Sequence, residues 1–169
     1  MEACPYSFLG GIKKGCFYYL RMSKILPRLW LSGAGEAYDG SFLRYGKITH
    51  VLNCAEELSA RPQQYGTDVV IQHIPMEDDE SPEVELQILK AVNQLQDWYR
   101  QEYRVLVHCR AGISRSPTVV IAWLMLCNNM SFDDAWKKVV AARNYIRPND
   151  YFMKFLKNLE KEPVYNYFQ

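Results

Sequence analysis

The sequence predicts an α/β fold in which a central mixed sheet of about five strands is flanked by helices. Short apolar runs typical of buried strands alternate with segments whose apolar residues recur at helical spacing. In addition, a length of 169 residues is about that of one domain, and a composition of 49% hydrophobic and 23% charged residues is enough for a single core. We expect that domain over residues 22–160, with an N-terminal extension over 1–21 and a C-terminal tail over 161–169.

The strands are predicted from short runs of apolar and β-branched residues. They lie near residues 28–32, 48–53, 69–74 and 104–108. A loop rich in small and polar residues follows the last of them.

The longest predicted helix covers residues 82–99. Ser81 is a natural N-cap, and Pro82 suits the first turn. The apolar residues of this helix recur at helical spacing and indicate a face turned to the core: Val84, Ile88, Val92, Leu95 and Tyr99. Further helices are predicted over 117–126, over 132–142 with Ser131 as the cap, and over 150–161.

The loop between the last strand and helix 117–126 carries the chemistry. A helix N-terminus presents backbone N–H groups and a positive dipole end, which favour a tetrahedral oxyanion such as phosphate. The same field favours the thiolate form of Cys109, and Gly112 lets the backbone close tightly. The Arg115 guanidinium can donate to two oxygens of the anion at once, in a forked geometry that lysine cannot reproduce. Ser116 can offer its hydroxyl to the sulfur.

Cys109 alone would be read as an ordinary buried cysteine at the end of a core strand. Joined to His108, Gly112, Arg115 and Ser116 at this spacing, it is better explained as a nucleophile. The pattern His-Cys-x5-Arg-Ser is the signature of protein tyrosine phosphatases. Residues 111–117, Ala-Gly-Ile-Ser-Arg-Ser-Pro, resemble the dual-specificity branch in particular.

The resemblance implies a general acid on a loop about thirty residues before the cysteine. Asp78 precedes Cys109 by 31 positions and follows the strand-like run 69–73. Asp79 is the competing assignment. The other acidic residues of this loop, Glu77 and Glu80, are better explained, like Asp79, as part of a solvated turn.

The resemblance extends over residues 22–160. Residues 22–33 look like the opening strand of a dual-specificity domain, and residues 48–54 look like its next core strand. Residues 143–152 resemble the family's Arg-x-x-Ile-x-Pro-Asn-x-x-Phe turn, in which the asparagine, here Asn149, helps to brace the active-site loops.

The family mechanism implies that Cys109 attacks phosphorus and that Asp78 protonates the leaving oxygen. Ser116 assists the sulfur, and His108 orients the loop beside the cysteine. The substrate phosphate is bound by loop residues Arg110, Ala111, Gly112, Ile113, Ser114 and Arg115. No cofactor is required, because the guanidinium and the backbone amides supply the electrostatic stabilisation.

The predicted function is a protein phosphatase that acts on phosphotyrosine and on phosphoserine and phosphothreonine. Phosphoinositide phosphatases usually carry lysines inside the loop, whereas only Arg110 is basic between Cys109 and Arg115. RNA 5′-phosphatases generally show Arg-Thr-Gly where this chain has Arg-Ser-Pro. A phosphoprotein-binding pseudophosphatase usually lacks the cysteine or the arginine. These three stay as alternatives.

Five cysteines and no secretory signal favour free thiols in a reducing compartment. We expect the cytoplasm, with the nucleus as a second candidate. The three histidines show no metal-like spacing, so no metal is expected. Cys54 is a candidate resolving partner for an oxidised Cys109.

The predicted partners are phosphorylated proteins as substrates. A net charge of +1 gives no reason to expect nucleic acid, and the longest apolar stretches are too short to span a membrane. Residues 1–21 are expected to pack on the domain, with a docking arm as the alternative. Tyr165 and Tyr167 in the tail are open to packing or modification, and the oligomeric state is not predicted.

Overall fold

Five short strands form one sheet in the computed structural model, which describes residues 22–58, 62–66 and 68–161. The strands are β1 (Ser23–Leu26), β2 (Leu29–Ser32), β3 (His50–Ala55), β4 (Val70–Met76) and β5 (Val105–His108). Their order across the sheet is β1-β2-β5-β3-β4. β1 runs antiparallel to β2 and the other neighbours pair in parallel, so the predicted mixed sheet is confirmed. The carboxyl ends of the four parallel strands therefore meet at one edge.

In the described part of the chain, six α-helices and a 3-10 helix cover the two faces of this sheet. They are α1 (Ala34–Ala37), α2 (Gly40–Gly46), the 3-10 helix (Pro62–Tyr65), α3 (Pro82–Arg100), α4 (Arg115–Asn128), α5 (Phe132–Ala142) and α6 (Asp150–Leu159). The four longer helices pack on one face, and α1, α2 and the 3-10 helix lie on the other.

The structure contains the two capping side chains that were predicted for α3 and α5. The Ser81 hydroxyl accepts the Val84 N–H at 3.3 Å at the start of α3, and the Ser131 hydroxyl accepts the Asp134 N–H at 3.1 Å at the start of α5. The bounds of α5 are those predicted. α6 ends two residues earlier than predicted, and α4 begins two residues earlier.

The sequence prediction missed four short features, one of which is the 3-10 helix Pro62–Tyr65. The segment 22–33 is two strands rather than one, because a turn at Pro27 and Arg28 reverses the chain and makes β1 an antiparallel edge strand. α1 and α2 went unpredicted because both are too short to show an apolar period.

Alternation along the strands divides the core between the two faces. Leu52 and Val107 face the four longer helices, whereas Val51 and Leu106 face α1, α2 and the 3-10 helix. α4 is buried on all sides from its first residue to Leu126. This helix is a fixed support for whatever its N-terminus holds.

None of the helices in the described part of the chain is long and apolar enough to cross a membrane. The expected packing of residues 1–21 and the questions about Tyr165 and Tyr167 lie outside the described residues.

His108, the last residue of β5, is a fully buried titratable group inside the sheet. Its Nδ1–H donates to the Cys109 carbonyl at 3.3 Å, and its Nε2 accepts the Tyr65 hydroxyl at 3.0 Å. Burial lowers the pKa of His108 from 6.5 to about 4. The ring is therefore neutral in the folded chain at neutral pH.

This burial predicts a loss of stability in mild acid. Between pH 6.5 and about 4 the unfolded chain binds a proton at His108 that the folded chain does not, so the free energy of unfolding falls as the pH falls. We expect urea unfolding from pH 7 to 5 to show this slope, and His108→Asn to flatten it. Since His50 is present in both chains, the difference isolates His108. Identical slopes would contradict the assignment.

Candidate active site

Each parallel strand delivers a site segment at the carboxyl edge of the sheet. Cys109 follows β5 directly, Asp78 stands two residues after β4, and Glu57 stands two residues after β3. Gly33 follows β2 and packs against the loop, since a Cβ at this position would lie 3.0 Å from the Ala111 carbonyl. Sites of α/β proteins form at this edge.

The loop of residues 109–115 turns sharply at Gly112. Its φ of +66° lies in the left-handed region that favours glycine. A Cβ there would lie 2.5 Å from the Ser32 carbonyl and 2.6 Å from Arg143 Nη2. Both the backbone angle and the packing therefore require glycine, as the sequence predicted for a tightly closed loop.

Every carbonyl from Cys109 to Ser114 accepts a hydrogen bond. The donors are His108 Nδ1 to Cys109, Ala34 N to Arg110 at 2.9 Å, Arg143 to Ala111 and Gly112, Arg147 N to Ile113 at 2.7 Å, and Thr118 to Ser114. In a trans peptide unit the N–H points opposite to the C=O. Because these carbonyls are held by the surrounding structure, the intervening N–H groups are turned toward the inside of the loop.

Cys109, the first residue of this loop, is 2% exposed. The Gly112 N–H donates to Sγ at 3.3 Å, and the Ser116 hydroxyl donates to it at 3.2 Å. Both contacts stabilise a thiolate, as does the N-terminus of α4.

Arg115 is almost fully buried, and its end-on edge is occupied by Glu57, which the sequence analysis did not identify. Nη1 and Nη2 of Arg115 donate to the two carboxylate oxygens of Glu57 at 2.6 and 2.8 Å. Nη1 also donates to the Met76 carbonyl at 3.2 Å. Hydrogen bonding to Arg115 lowers the pKa of Glu57 to about 2. The signal that could have revealed Glu57 is its place just after a parallel strand.

The other edge of the Arg115 guanidinium remains for an anion. A guanidinium has five N–H donors, and the contacts above use three of them. Nε–H donates to no partner within hydrogen-bond distance among the described residues, and Nε lies 3.7 Å from Asp78 Oδ2. Nε–H and the second Nη2–H therefore form a side-on fork, which matches two phosphate oxygens.

Asp78, rather than Asp79, is tied to the loop. Its Oδ1 accepts the Ser114 hydroxyl at 2.7 Å and the Asn149 side-chain amide at 2.9 Å. Asp79 is exposed and interacts with Glu77, whose pKa it raises. Of the two aspartates, Asp78 is therefore the one in contact with the cysteine loop, and its role as the acid stays a prediction.

Asn149 connects three parts of the site. Its side-chain oxygen accepts the Phe152 N–H at 2.8 Å and caps α6, while its amide reaches Asp78. Its own N–H donates to the Ser114 hydroxyl at 3.2 Å. These contacts are the bracing that the resemblance implied for this residue.

The remaining predicted loop residues contribute through their backbones. The side chains of Arg110 and Ala111 are exposed, and that of Ile113 is half-buried. Arg110 also lowers the pKa of Glu57 as a minor influence behind Arg115. Among the described residues, no group of three or more His, Cys, Asp or Glu side chains could hold a metal ion.

Cys54 lies beside the nucleophile. Asn53 of β3 pairs with His108 of β5. The next residues along these neighbouring parallel strands, Cys54 and Cys109, therefore lie at the same height in the sheet. Burial raises the pKa of Cys54 well above its usual value and keeps it a thiol. A resolving role for Cys54 stays a prediction.

Comparison with known proteins agrees with the site. The family model "Dual specificity phosphatase, catalytic domain" matches residues 29–162. Human dual specificity protein phosphatase 22 is 34% identical over 148 residues, which cover 88% of this chain and 78% of that protein. The protein-tyrosine-phosphatase MKP1 of Arabidopsis thaliana is 32% identical over 137 residues, only 17% of its length.

Solved structures show the same fold. The crystal structure of DUSP15 superposes with a TM-score of 0.77 at 28% identity and covers 86% of this chain and 91% of that one. Human DUSP28 gives 0.74 at 26% identity, covering 83% and 93%. With its cysteine loop, arginine and aspartate held together at the carboxyl edge of this sheet, the chain belongs to the dual-specificity phosphatase family of cysteine-dependent protein phosphatases.

Proposed function

We propose that the chain removes phosphate from tyrosine, and from serine and threonine, of phosphorylated proteins through a phosphocysteine at Cys109. The observation that carries this proposal is the loop itself. Its carbonyls are held by the surrounding structure, the Gly112 N–H donates to the Cys109 sulfur, and the side-on edge of Arg115 is open to an anion. The family comparisons favour protein substrates over the phosphoinositide, RNA and pseudophosphatase alternatives.

In the first step the Cys109 thiolate attacks phosphorus and the bond to the substrate oxygen breaks. The charge on the transferring phosphoryl oxygens is stabilised by the loop N–H groups and by Nε and Nη2 of Arg115. This stabilisation is built before substrate arrives, because Glu57 and the Met76 carbonyl already fix the guanidinium plane.

Asp78 protonates the departing oxygen. Its Oδ1 already accepts two hydrogen bonds, from Ser114 and Asn149, so Oδ2 is the oxygen that carries the proton to the leaving group. In the second step the same oxygen takes a proton from water, and that water attacks the phosphocysteine. Ser116, 3.2 Å from Sγ, stabilises the thiolate as it leaves.

The first test measures phosphate release from matched phosphotyrosine and phosphothreonine peptides. We expect release from both, none with Cys109→Ser, and a loss of roughly 10²–10⁴-fold with Asp78→Asn. Asp79→Asn is the matched control and should stay within about twofold of the unsubstituted chain, since Asp79 is exposed and outside the network.

The leaving group separates acid catalysis from damage to the loop. p-Nitrophenolate leaves without protonation, so Asp78→Asn should lose much less activity on p-nitrophenyl phosphate than on the peptides. An equal loss on both substrates would overturn the acid role of Asp78. No release from either peptide would overturn the proposed function.

Substitution of Glu57 tests whether its pair with Arg115 supports the reaction. In Glu57→Gln one carboxylate oxygen becomes an NH₂ group facing an arginine N–H, so the paired contact is lost and the guanidinium plane is released. Because Glu57 is partly exposed, we expect a loss of about tenfold in kcat/KM. The loss should be the same from pH 5 to 8, since the pKa of Glu57 near 2 keeps it ionised throughout.

The control for this substitution is Glu56→Gln, the exposed neighbouring glutamate. It should leave kcat/KM within about twofold of the unsubstituted value. A Glu57→Gln chain as active as Glu56→Gln would show that Arg115 needs no such support.

A further inference from the structure

A second buried guanidinium, that of Arg143, lies beneath the loop. Arg143 follows α5 and is 2% exposed. Burying a charged group is costly unless it is paired and hydrogen-bonded. Neither the sequence pattern nor the mechanism above gives this side chain a part in the reaction.

The contacts of Arg143 fall on the same peptide units that serve the nucleophile. Nη2 donates to the Ala111 carbonyl at 3.2 Å, and Nε donates to the Gly112 carbonyl at 2.8 Å. The N–H of the first of these units, that of Gly112, donates to Cys109 Sγ at 3.3 Å. Arg143 and the sulfur therefore lie at opposite ends of one peptide unit.

A cation at the carbonyl end of a peptide unit strengthens the N–H at the other end as a donor. Hydrogen bonds in a chain polarise one another, and the effect is larger in a buried site. The fork of Arg143 also fixes the planes of two successive units, because its two donors hold two carbonyls at a set angle. Position and polarisation thus act in the same direction.

Glu36 of α1 is the counterion of this guanidinium. Its Oε1 lies 3.8 Å from Arg143 Nη1, and both side chains are almost fully buried. Burial lowers the pKa of Arg143, while Tyr145, Glu36 and Cys109 act in the opposite direction. Arg143 and Cys109 are thus both buried, and the thiolate is one of the groups that favour the charged form of Arg143.

We propose that Arg143 is a positioning residue of the phosphatase reaction, which fixes and polarises the Ala111–Gly112 and Gly112–Ile113 peptide units toward the Cys109 thiolate and the bound phosphate. The proposal rests on the proposed function in taking this loop as the phosphate site. Arg143 touches neither the sulfur nor the substrate and acts through the backbone.

The test compares Arg143→Lys and Arg143→Met, with Arg28→Met as the control. Lysine keeps a charge but loses the fork, and methionine loses both. Arg28 is a partly exposed arginine paired with Glu102, far from the loop in sequence and outside the site. All chains are first checked for a cooperative thermal transition.

Two readouts need no turnover and report on the loop directly. The first is the pH dependence of Cys109 alkylation by iodoacetamide, followed by mass spectrometry of the peptide that contains it. The second is calorimetric binding of tungstate, a tetrahedral oxyanion. We expect half-maximal alkylation to move up by about one pH unit in Arg143→Lys and further in Arg143→Met, and tungstate to bind about tenfold more weakly. Arg28→Met should change neither.

A purely structural role would give a different result. The Arg143 variants would melt at lower temperature, yet their alkylation curves and tungstate affinities would match those of Arg28→Met, and the proposal would be wrong. Phosphopeptide hydrolysis tests the proposed function separately, because alkylation and tungstate binding are measured without it.

A measurement on the unsubstituted chain decides the matter if the variants do not fold. In ¹⁵N NMR spectra the Arg143 Nε–H should exchange slowly with water and shift when tungstate binds, whereas the Arg28 Nε–H should not shift. An Arg143 signal that moves no more than that of Arg28 would refute the coupling.

Discussion

The site depends on one backbone constraint: several successive N–H groups must converge on a single point, so their carbonyls must all be satisfied elsewhere. Buried carbonyls without partners are costly, and this loop has no regular secondary structure to supply them. The partners come from Ala34 after β2, Thr118 in α4, Arg143 after α5 and Arg147 before α6. Distant parts of the chain thus converge on one short loop, and the fold is organised around holding it.

The parallel sheet explains why the reacting groups meet. Three neighbouring strands end at one edge, and each is followed within two residues by a site side chain: Cys109, Glu57 and Asp78. The two carboxylates have different duties because their partners differ. Glu57 takes the end-on edge of Arg115 and stays ionised, whereas Asp78 accepts two neutral donors on Oδ1 and has Oδ2 3.7 Å from Arg115 Nε.

Local pattern was enough to predict the mixed sheet, the long helices and the cysteine loop, because strands, caps and the loop signature are written in adjacent residues. It was not enough for Glu57 or Arg143, because each acts through a residue that is distant in the sequence. Glu57 pairs with Arg115, 58 positions away, and Arg143 donates to Gly112, 31 positions away. The choice between Asp78 and Asp79 has the same character. Both are acidic residues in one turn, and only contacts with distant residues, Ser114 and Asn149, distinguish them.

Ser114 shows how function overrides the local rule at this site. The capping residues of α2, α3, α5 and α6 each accept a backbone N–H of their own helix with their side chain, whereas Ser114, at the same position before α4, accepts none from α4. Its hydroxyl goes to Asp78 instead. A missing cap costs about 1 kcal/mol. In return the first N–H groups of α4 are left without a side-chain cap, and the segment that carries Asp78 is tied to the cysteine loop. A helix end that is weaker as structure is thereby better suited to bind an anion.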